Sequence, residues 1–378
     1  DNYMDMSAIT PSTMQLNRLK WETTTEYNTG LDASFLKGKL RFTVDVYQKY
    51  IKDLLQKKVK MPTSIGYGNG YEVSYMNSGK MTNKGWEFRV DAVPFENRDW
   101  RVGFYFNIAH NENKITEMPD NYTEENYTFN NGEYAYRREE GRPMGSFYGY
   151  RYKGVCQNKD ATYARDADGN VMKDISGNAI VMRNGTATIA PGDALYEDIN
   201  HDGVINQYDI VYLGNSNPRF TGGAGVNVSY KQFKLSAIFY GRYGQDVVNS
   251  TRLNNESMRG IDNQSTAVLR RWRNEGDQTD IPRALYGEGY NTLGSDRFVE
   301  DASYLRLKSL SFNYRLPKKI IQRWGFSNID VYVTGYNLFT WTKYTGQDPE
   351  VKTENTYARD SATTPASIQL VAGFNLSF

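Results

Sequence analysis

Cysteine occurs once in the 378 residues, at Cys156, and histidine only twice, at His110 and His201. One thiol excludes an internal disulfide and any multi-thiolate metal site. Two histidines leave little room for a histidine-centred triad or zinc centre. Charge of one sign is not in excess: 45 Lys and Arg face 44 Asp and Glu, a formal net charge of +1. Nucleic acid is therefore not the default partner. Long apolar runs are also missing. The mean hydropathy is −0.69, and no stretch approaches the roughly 18 residues that a membrane-crossing helix needs. No basic segment followed by an apolar one opens the chain as a signal peptide would. An enzyme would need a nucleophile–base set or a carboxylate pair at defined separation. Acidic residues abound, but nothing marks two of them as a pair, and no serine-bearing elbow lies near His110, so the chain reads as a non-enzyme.

What is abundant is aromatic. Aromatics make up 14% of the chain, with 30 Tyr, beside 33 Gly and only 39% hydrophobic residues, a profile that suits β-structure with long polar loops. A period-2 alternation recurs along the whole length. In 39–50, Leu40, Phe42, Val44 and Val46 alternate with Arg41, Thr43, Asp45 and Tyr47. In 100–109, Trp100, Val102, Phe104, Phe106 and Ile108 alternate with Arg101, Gly103, Tyr105 and Asn107. The same pattern gives strands at 26–36, 85–93, 223–230, 232–241, 303–316, 328–339 and 367–378. Within 303–316 the apolar parity changes between Leu307 and Leu310, which predicts a β-bulge near Lys308–Ser309.

The polar positions of these strands include Arg, Asp, Glu and Lys. In a soluble sandwich that face meets water; in a membrane barrel it lines the lumen while the Phe, Val, Leu and Trp face meets lipid. Loop lengths separate the two. The gaps 36–39, 94–99, 231–232 and 317–327 are short, and 51–84, 110–222, 242–302 and 340–366 are long. A compact soluble domain rarely carries several structureless loops above ~15 residues, whereas outer-membrane barrels alternate short periplasmic turns with long extracellular loops. The expected fold is all-β: an antiparallel transmembrane β-barrel with long extracellular loops. Nine strands do not close a bacterial single-chain barrel, which carries an even number. The chain is thus expected to be the C-terminal segment of a larger barrel, with 1–20 a remnant of an extracellular loop, 21–378 the barrel strands, and 110–222 a large folded extracellular loop. The last strand ends on Phe378, with Leu376, Phe374, Ala372 and Leu370 alternating behind it. A terminal aromatic of this kind resembles the assembly signal of outer-membrane barrels.

Several longer stretches then resemble one family. Asp301-Ala-Ser-Tyr-Leu-Arg-Leu-Lys-Ser-Leu310 with Tyr314-Arg-Leu-Pro317 resembles the penultimate hairpin of SusC/RagA-type TonB-linked outer-membrane transporters. Val331-Tyr-Val-Thr-Gly-Tyr-Asn-Leu-Phe339 followed by Tyr344-Thr-Gly-Gln-Asp-Pro-Glu-Val351 is similar to the most diagnostic stretch of that family. Leu19-Lys-Trp-Glu22, Asn28-Thr-Gly-Leu-Asp32, Asp53-Leu-Leu55 and Asn77-Ser-Gly-Lys-Met-Thr-Asn-Lys-Gly85 are similar to its earlier barrel blocks. The resemblance covers essentially the whole chain. It implies a plugged barrel of the 22-stranded kind in the outer membrane of a Gram-negative cell. It also implies import of oligosaccharide or peptide cargo, a SusD-like lipoprotein partner, and energy from TonB-ExbB-ExbD through the N-terminal plug and barrel portion. The family's plug domain has no counterpart among these residues.

One motif carries distinct chemistry. Asp198-Ile-Asn-His-Asp-Gly-Val-Ile-Asn-Gln-Tyr-Asp209 matches a Ca²⁺-loop pattern, with oxygen ligands at positions 1, 3 and 5, glycine at 6 and an acid at 12. The candidate ligands are Asp198, Asn200, Asp202, the Val204 carbonyl and Asp209, holding Ca²⁺ as a structural clip. Aspartate at position 12 and the lack of flanking helices argue against a sensor. The competing reading is a metal-free Asp-Gly turn, with His201 solvated. Asp166-Ala-Asp-Gly-Asn170 lacks a twelfth-position acid and reads as a turn. Thr266–Trp272 reads as a short helix packing Val268, Leu269 and Trp272 onto the barrel rim. The loop aromatics Tyr122, Tyr127, Phe129, Tyr134, Tyr136, Phe147, Tyr148, Tyr150 and Tyr152 suit either sugar stacking or loop packing, and Cys156 reads as a buried thiol. From another functional class, the alternative is a soluble calcium-containing carbohydrate-binding β module, whose Phe and Val faces would pack into a core.

Overall fold

The computed structural model describes residues 2–3, 6–7, 19–60, 72–77, 79–118, 134–135, 138–354 and 357–378. All nine expected strands form. They are β1 (Thr23–Phe35), β2 (Leu40–Lys52), β3 (Lys80–Glu96), β4 (Trp100–Glu117), β5 (Phe220–Tyr230), β6 (Phe233–Tyr243), β7 (Tyr304–Arg315), β8 (Asn328–Thr342) and β9 (Gln369–Ser377). Each strand pairs with its neighbours in sequence, so the sheet is an up-and-down meander with β1 and β9 at its open edges. Of the expected 1–20 loop remnant, only a two-residue pairing of Asn2–Tyr3 with Met6–Ser7 and residues 19–20 are described.

The ladders outrun the apolar alternation. β3 starts at Lys80 rather than Gly85, and β4 continues past Ala109 to Glu117, with Thr82, Asn83 and Lys84 opposite Lys114, Asn113 and Glu112. Backbone groups carry this pairing, so it persists where the side chains on both faces are polar. At its other end β3 runs through Pro94, where the register shifts between Ala92 and Phe95. Proline cannot donate to a ladder and is tolerated at a bulge, so the turn is 97–99 rather than 94–99. The bulge expected near Lys308–Ser309 is present. Leu307 and Ser309 pair with the adjacent residues Phe239 and Ile238, leaving Lys308 as the extra residue.

Register places the apolar residues on one face. Leu31, Val44, Phe88 and Ile108 lie side by side across β1 to β4. Trp100, Tyr230, Phe233, Tyr314, Val331 and Phe374 form one row across β4 to β9. In that row the Trp100 and Tyr230 ring centres are 4.3 Å apart and those of Phe233 and Tyr314 are 4.7 Å apart. A second aromatic row holds Trp86, His110, Phe220 and Tyr243, with ring centres 5.2 Å apart for His110 and Phe220 and 6.4 Å apart for Phe220 and Tyr243. Ten residues separate the two rows on each of β4, β5 and β6. At about 3.3 Å per residue that is ~33 Å along a strand, or about 25 Å at a tilt of ~40°, the height of the apolar band of an outer-membrane barrel.

Between the rows Phe104, Leu235, Phe312, Val333 and Leu370 are exposed, while the largest fully buried side chains, Tyr148, Phe147 and Phe298, lie in the connections. Among the described residues the apolar strand face therefore packs against no protein core, which overturns the soluble-module reading. An exposed band of this size needs an apolar medium. A cation placed in the middle of the band tests this. Val226→Lys should destabilise the assembled barrel by about 2–4 kcal/mol, whereas Asn227→Lys on the opposite face should cost far less. Heat-modifiable migration and denaturant titration of the two variants measure the difference, and equal costs would remove the assignment of the faces.

Candidate functional site: a folded cap on a polar wall

The connections 118–219, 244–303 and 343–368 all leave the same end of the sheet and interlock there. Residues Ser146–Gly149 pair with Val211–Asn215. Asp246–Asn249 pairs antiparallel with Val299–Asp301 and parallel with Tyr357–Asp360, so the second and third connections share a sheet. Tyr134, Phe147, Val248, Leu253 and Phe298 make one buried cluster. A larger cluster centres on Tyr148, Tyr150, Tyr196, Ile205 and Leu293. These contacts bury the expected aromatics Tyr134, Phe147, Tyr148 and Tyr150, which makes them packing residues rather than an exposed stacking platform. Tyr122, Tyr127, Phe129 and Tyr136 lie outside the described residues.

Ion pairs join the same connections. The Arg283 guanidinium reaches the fully buried Asp193 carboxylate at 2.7 and 3.1 Å, and Asn291 donates to that carboxylate at 3.2 Å. Arg297 and Glu256, 4% and 5% exposed, pair at 2.8 Å, and Arg252 bridges Glu256 and Glu300 at 3.0 and 3.2 Å. The short 3-10 helix Thr266–Arg270 belongs to this cap and not to the barrel rim. Val268 packs with Met258 and Ile281, the Trp272 ring lies against Gly192, and Leu269 is 65% exposed. Cys156 is buried, its Sγ donates to the Asn158 carbonyl at 3.3 Å, and burial pushes the thiol up to about 11.

Below the cap, the third connection is fastened to the polar face of the sheet. Arg306 on β7 is 3% exposed; it donates to Thr340 at 2.9 Å, to Glu350 at 2.8 Å and also to Asp348. Lys308, the bulge residue, donates to the same Glu350 oxygen at 2.8 Å. Asp348 in turn accepts the N–H groups of Glu350 and Ala366, each at 2.9 Å. Burial opposes the charged form of Asp348, but those N–H donors and the Arg306 guanidinium outweigh it and hold the carboxyl below its ordinary range. Alongside lies a cavity of about 740 Å³ lined by Arg242, Asp348, Glu350, Lys352, Arg359 and Thr363. The Tyr-Leu-Arg-Leu-Lys alternation puts Arg306 on the polar face, yet nothing local in sequence pairs it with carboxylates some forty residues on.

The 198–209 motif folds as one tight turn in the cap. Gly203, with φ +81, takes the left-handed conformation that its position in the pattern demands. Asp198 accepts the N–H groups of Asp202 and Gly203 at 3.2 and 2.8 Å, and Asn200 donates to Asp202 at 2.9 Å, so these three expected ligands are gathered. The Val204 carbonyl accepts from the Asn206 side chain at 3.1 Å. Asp209 is fully buried and accepts the Ile199 and Asn206 N–H groups, both at 2.8 Å, closing the turn from inside. Burial pushes its carboxyl above the ordinary range, with Asp198 and Asp202 adding to the effect. Among the described residues no three His, Cys, Asp or Glu side chains converge as a metal cluster. His201 is exposed, its Nδ1 3.3 Å from the Arg165 carbonyl oxygen. The 166–170 segment is the expected turn: Asp166 accepts the Asp168 and Asn170 N–H groups at 3.0 and 2.8 Å. A second such turn at Asp174 repeats it eight residues later.

A tall apolar band between aromatic rows, short turns at one end and a folded cap at the other define a segment of an outer-membrane-type barrel. Residues 2–338 match the family model described as TonB dependent receptor-like, beta-barrel. The chain belongs to that family, and its relatives place it with the SusC/RagA-type transporters. It is 32% identical over 349 residues to TonB-dependent receptor P3 of Formosa agariphila, covering 90% of this chain and 32% of the relative. It is 27% identical over 370 residues to TonB-dependent receptor SusC of Bacteroides thetaiotaomicron, covering 95% and 32%. The solved RagAB peptide transporter superposes with a TM-score of 0.70 at 27% identity, over 100% of this chain and 38% of that one. The chain thus spans about a third of the length of these curated relatives.

The anchor on the polar wall yields a paired expectation. Arg306→Ala takes the guanidinium from Asp348 and leaves Glu350 with Lys308 alone, and should cost on the order of 3 kcal/mol, seen as faster proteolysis of 343–368 in the assembled barrel. Because the Asp348 carboxyl is lowered on folding, its contribution is complete above the ordinary carboxylate range and is lost as pH falls through the lowered value. Hydrogen-exchange protection in 343–368, taken relative to the intrinsic rate at each pH, should stay level from neutrality to about pH 5 and fall only below about pH 4. A loss of protection beginning near pH 6 would assign control of the loop to another group.

Proposed function

We propose that this chain supplies barrel strands and extracellular loops to a TonB-dependent importer in the outer membrane of a Gram-negative cell, and that it has no enzymatic role. The observation that carries this reading is the two aromatic rows set about 25 Å apart on an apolar face that, among the described residues, meets no protein core. The open edges of β1 and β9 support it, because backbone groups at membrane depth need partner strands. The polar face then lines the lumen, and the cap faces the outside, where the long loops belong. Cargo is an oligosaccharide or a peptide, delivered with a SusD-like surface lipoprotein seated over the cap. Energy comes from TonB-ExbB-ExbD through a plug portion outside these residues.

Detergent extraction of the full-length transporter from outer membranes, followed by mass spectrometry of everything that co-purifies, tests the assembly. A lipoprotein of the SusD type is expected, together with TonB-dependent uptake of either labelled peptides or labelled oligosaccharides. Recovery of the protein in soluble form without detergent would sink the barrel reading. Recovery from membranes with no lipoprotein and uptake indifferent to TonB would sink the importer reading.

We further propose that Asp198, Asn200, Asp202, the Val204 carbonyl and Asp209 hold Ca²⁺ as a clip in the cap. What supports it is the gathering of Asp198, Asn200 and Asp202 in a single turn, oxygen donors of the kind that suit a hard cation. Elemental analysis of the purified transporter should find one calcium that Asp198→Ala with Asp202→Ala removes. Chelation should lower the unfolding temperature of the cap until calcium is restored. An unfolding temperature unmoved by chelator, with no calcium found, would leave a metal-free turn.

A further inference from the structure

The apolar face carries a groove of about 690 Å³ at its long-loop end. Its floor comes from the backbone. Gly222 and Gly241 sit directly opposite each other on β5 and β6, between Ile108 on β4 and Leu305 on β7. A row filled elsewhere by Val, Leu and Phe therefore loses its side chains on two neighbouring strands, and Ala224 continues the furrow one step deeper into the band. The gap is fixed by strand spacing. A Cβ on Gly222 would lie 2.4 Å from the Asn107 carbonyl oxygen, and one on Gly241 would lie 2.7 Å from that of Tyr304. Phe239 and Trp341 form the banks, and Phe220 and Tyr243 of the upper aromatic row close the head.

The charge at that head is cationic. Lys343 lines the groove, follows β8 directly and is exposed; Arg219 stands just outside the lining, its guanidinium 5.5 Å from the ring centre of the Phe220 that closes the head. Among the described residues neither is ion-paired. The one carboxylate lining the groove, Asp301, is occupied by the N–H and hydroxyl of Ser303. An apolar furrow beside two cations, at the level where a bilayer presents its headgroups, matches an acyl chain bearing a phosphate above it. We propose that this groove binds one acyl chain of the phosphorylated glycolipid of the outer leaflet, lipopolysaccharide, with Lys343 and Arg219 on its phosphate. The proposal rests on the long-loop end facing outward.

Native mass spectrometry of the full-length transporter, released from outer membranes in mild detergent, tests it. The wild type should retain a single adduct of lipid A mass. Two variants attack the site by separate routes: Ala224→Phe fills the furrow from an existing Cβ, and Arg219→Glu with Lys343→Glu reverses the rim. Heat-modifiable migration verifies that each variant is a folded, membrane-assembled barrel, which keeps this test separate from that of the fold. Each should lower adduct occupancy about tenfold or more. The proposal is overturned by a bare wild type, by an adduct of phospholipid mass, or by occupancy unchanged in both folded variants. A wild-type dimer that Ala224→Phe dissociates would also overturn it, by assigning the groove to a second copy.

Discussion

A backbone N–H or C=O in hydrocarbon has no water to bond, so it must find its partner on a neighbouring strand. The rest of this structure follows from that constraint. It requires a continuous ladder, and the sheet is a nine-strand meander in which every interior strand is paired on both sides. It restricts proline, and Pro94 sits where the β3 register slips. It also leaves β1 and β9 with one unpaired side each, which other strands must complete wherever the apolar band lies in lipid.

The same constraint relocates the core. Strand side chains on the apolar face have lipid for a neighbour and do not pack into protein, so hydrophobic burial inside the molecule is concentrated in the connections. Tyr148, Phe147, Phe298 and Ile205 are fully enclosed there. With only short strands of their own, those connections hold together through shared aromatic clusters and through paired charges such as Arg297 with Glu256 and Arg283 with Asp193. A cap of this kind is a small folded body in its own right, standing in water on a membrane-bound base.

What links cap and base is the Arg306 network. One guanidinium on the polar wall takes carboxylates from the 343–368 connection, and Lys308, projected by the bulge, shares one of them. Because breaking one member leaves buried charge unpaired, the connection has a single well-defined seat. The charged cavity beside that seat is thereby fixed against the polar wall.

The strands, their order and their bulge were legible in the sequence, since a period of two, short and long gaps, and the parity change after Leu307 are local quantities. The apolar face was legible for the same reason, and so was the turn at Gly203. What the alternation could not mark was where the ladders stop, because Asn83 and Asn113 pair through their backbones whatever their side chains are. Nor could it tell packing aromatics from exposed ones: Tyr148 and Tyr208 look alike in sequence, yet one is fully buried and the other exposed. Arg306 with Asp348 and Asp193 with Arg283 join residues 42 and 90 positions apart. Local order determined the barrel segment and its two faces. Only the tertiary structure decided the cap, its ion pairs and the glycine furrow, because these depend on which distant segments meet.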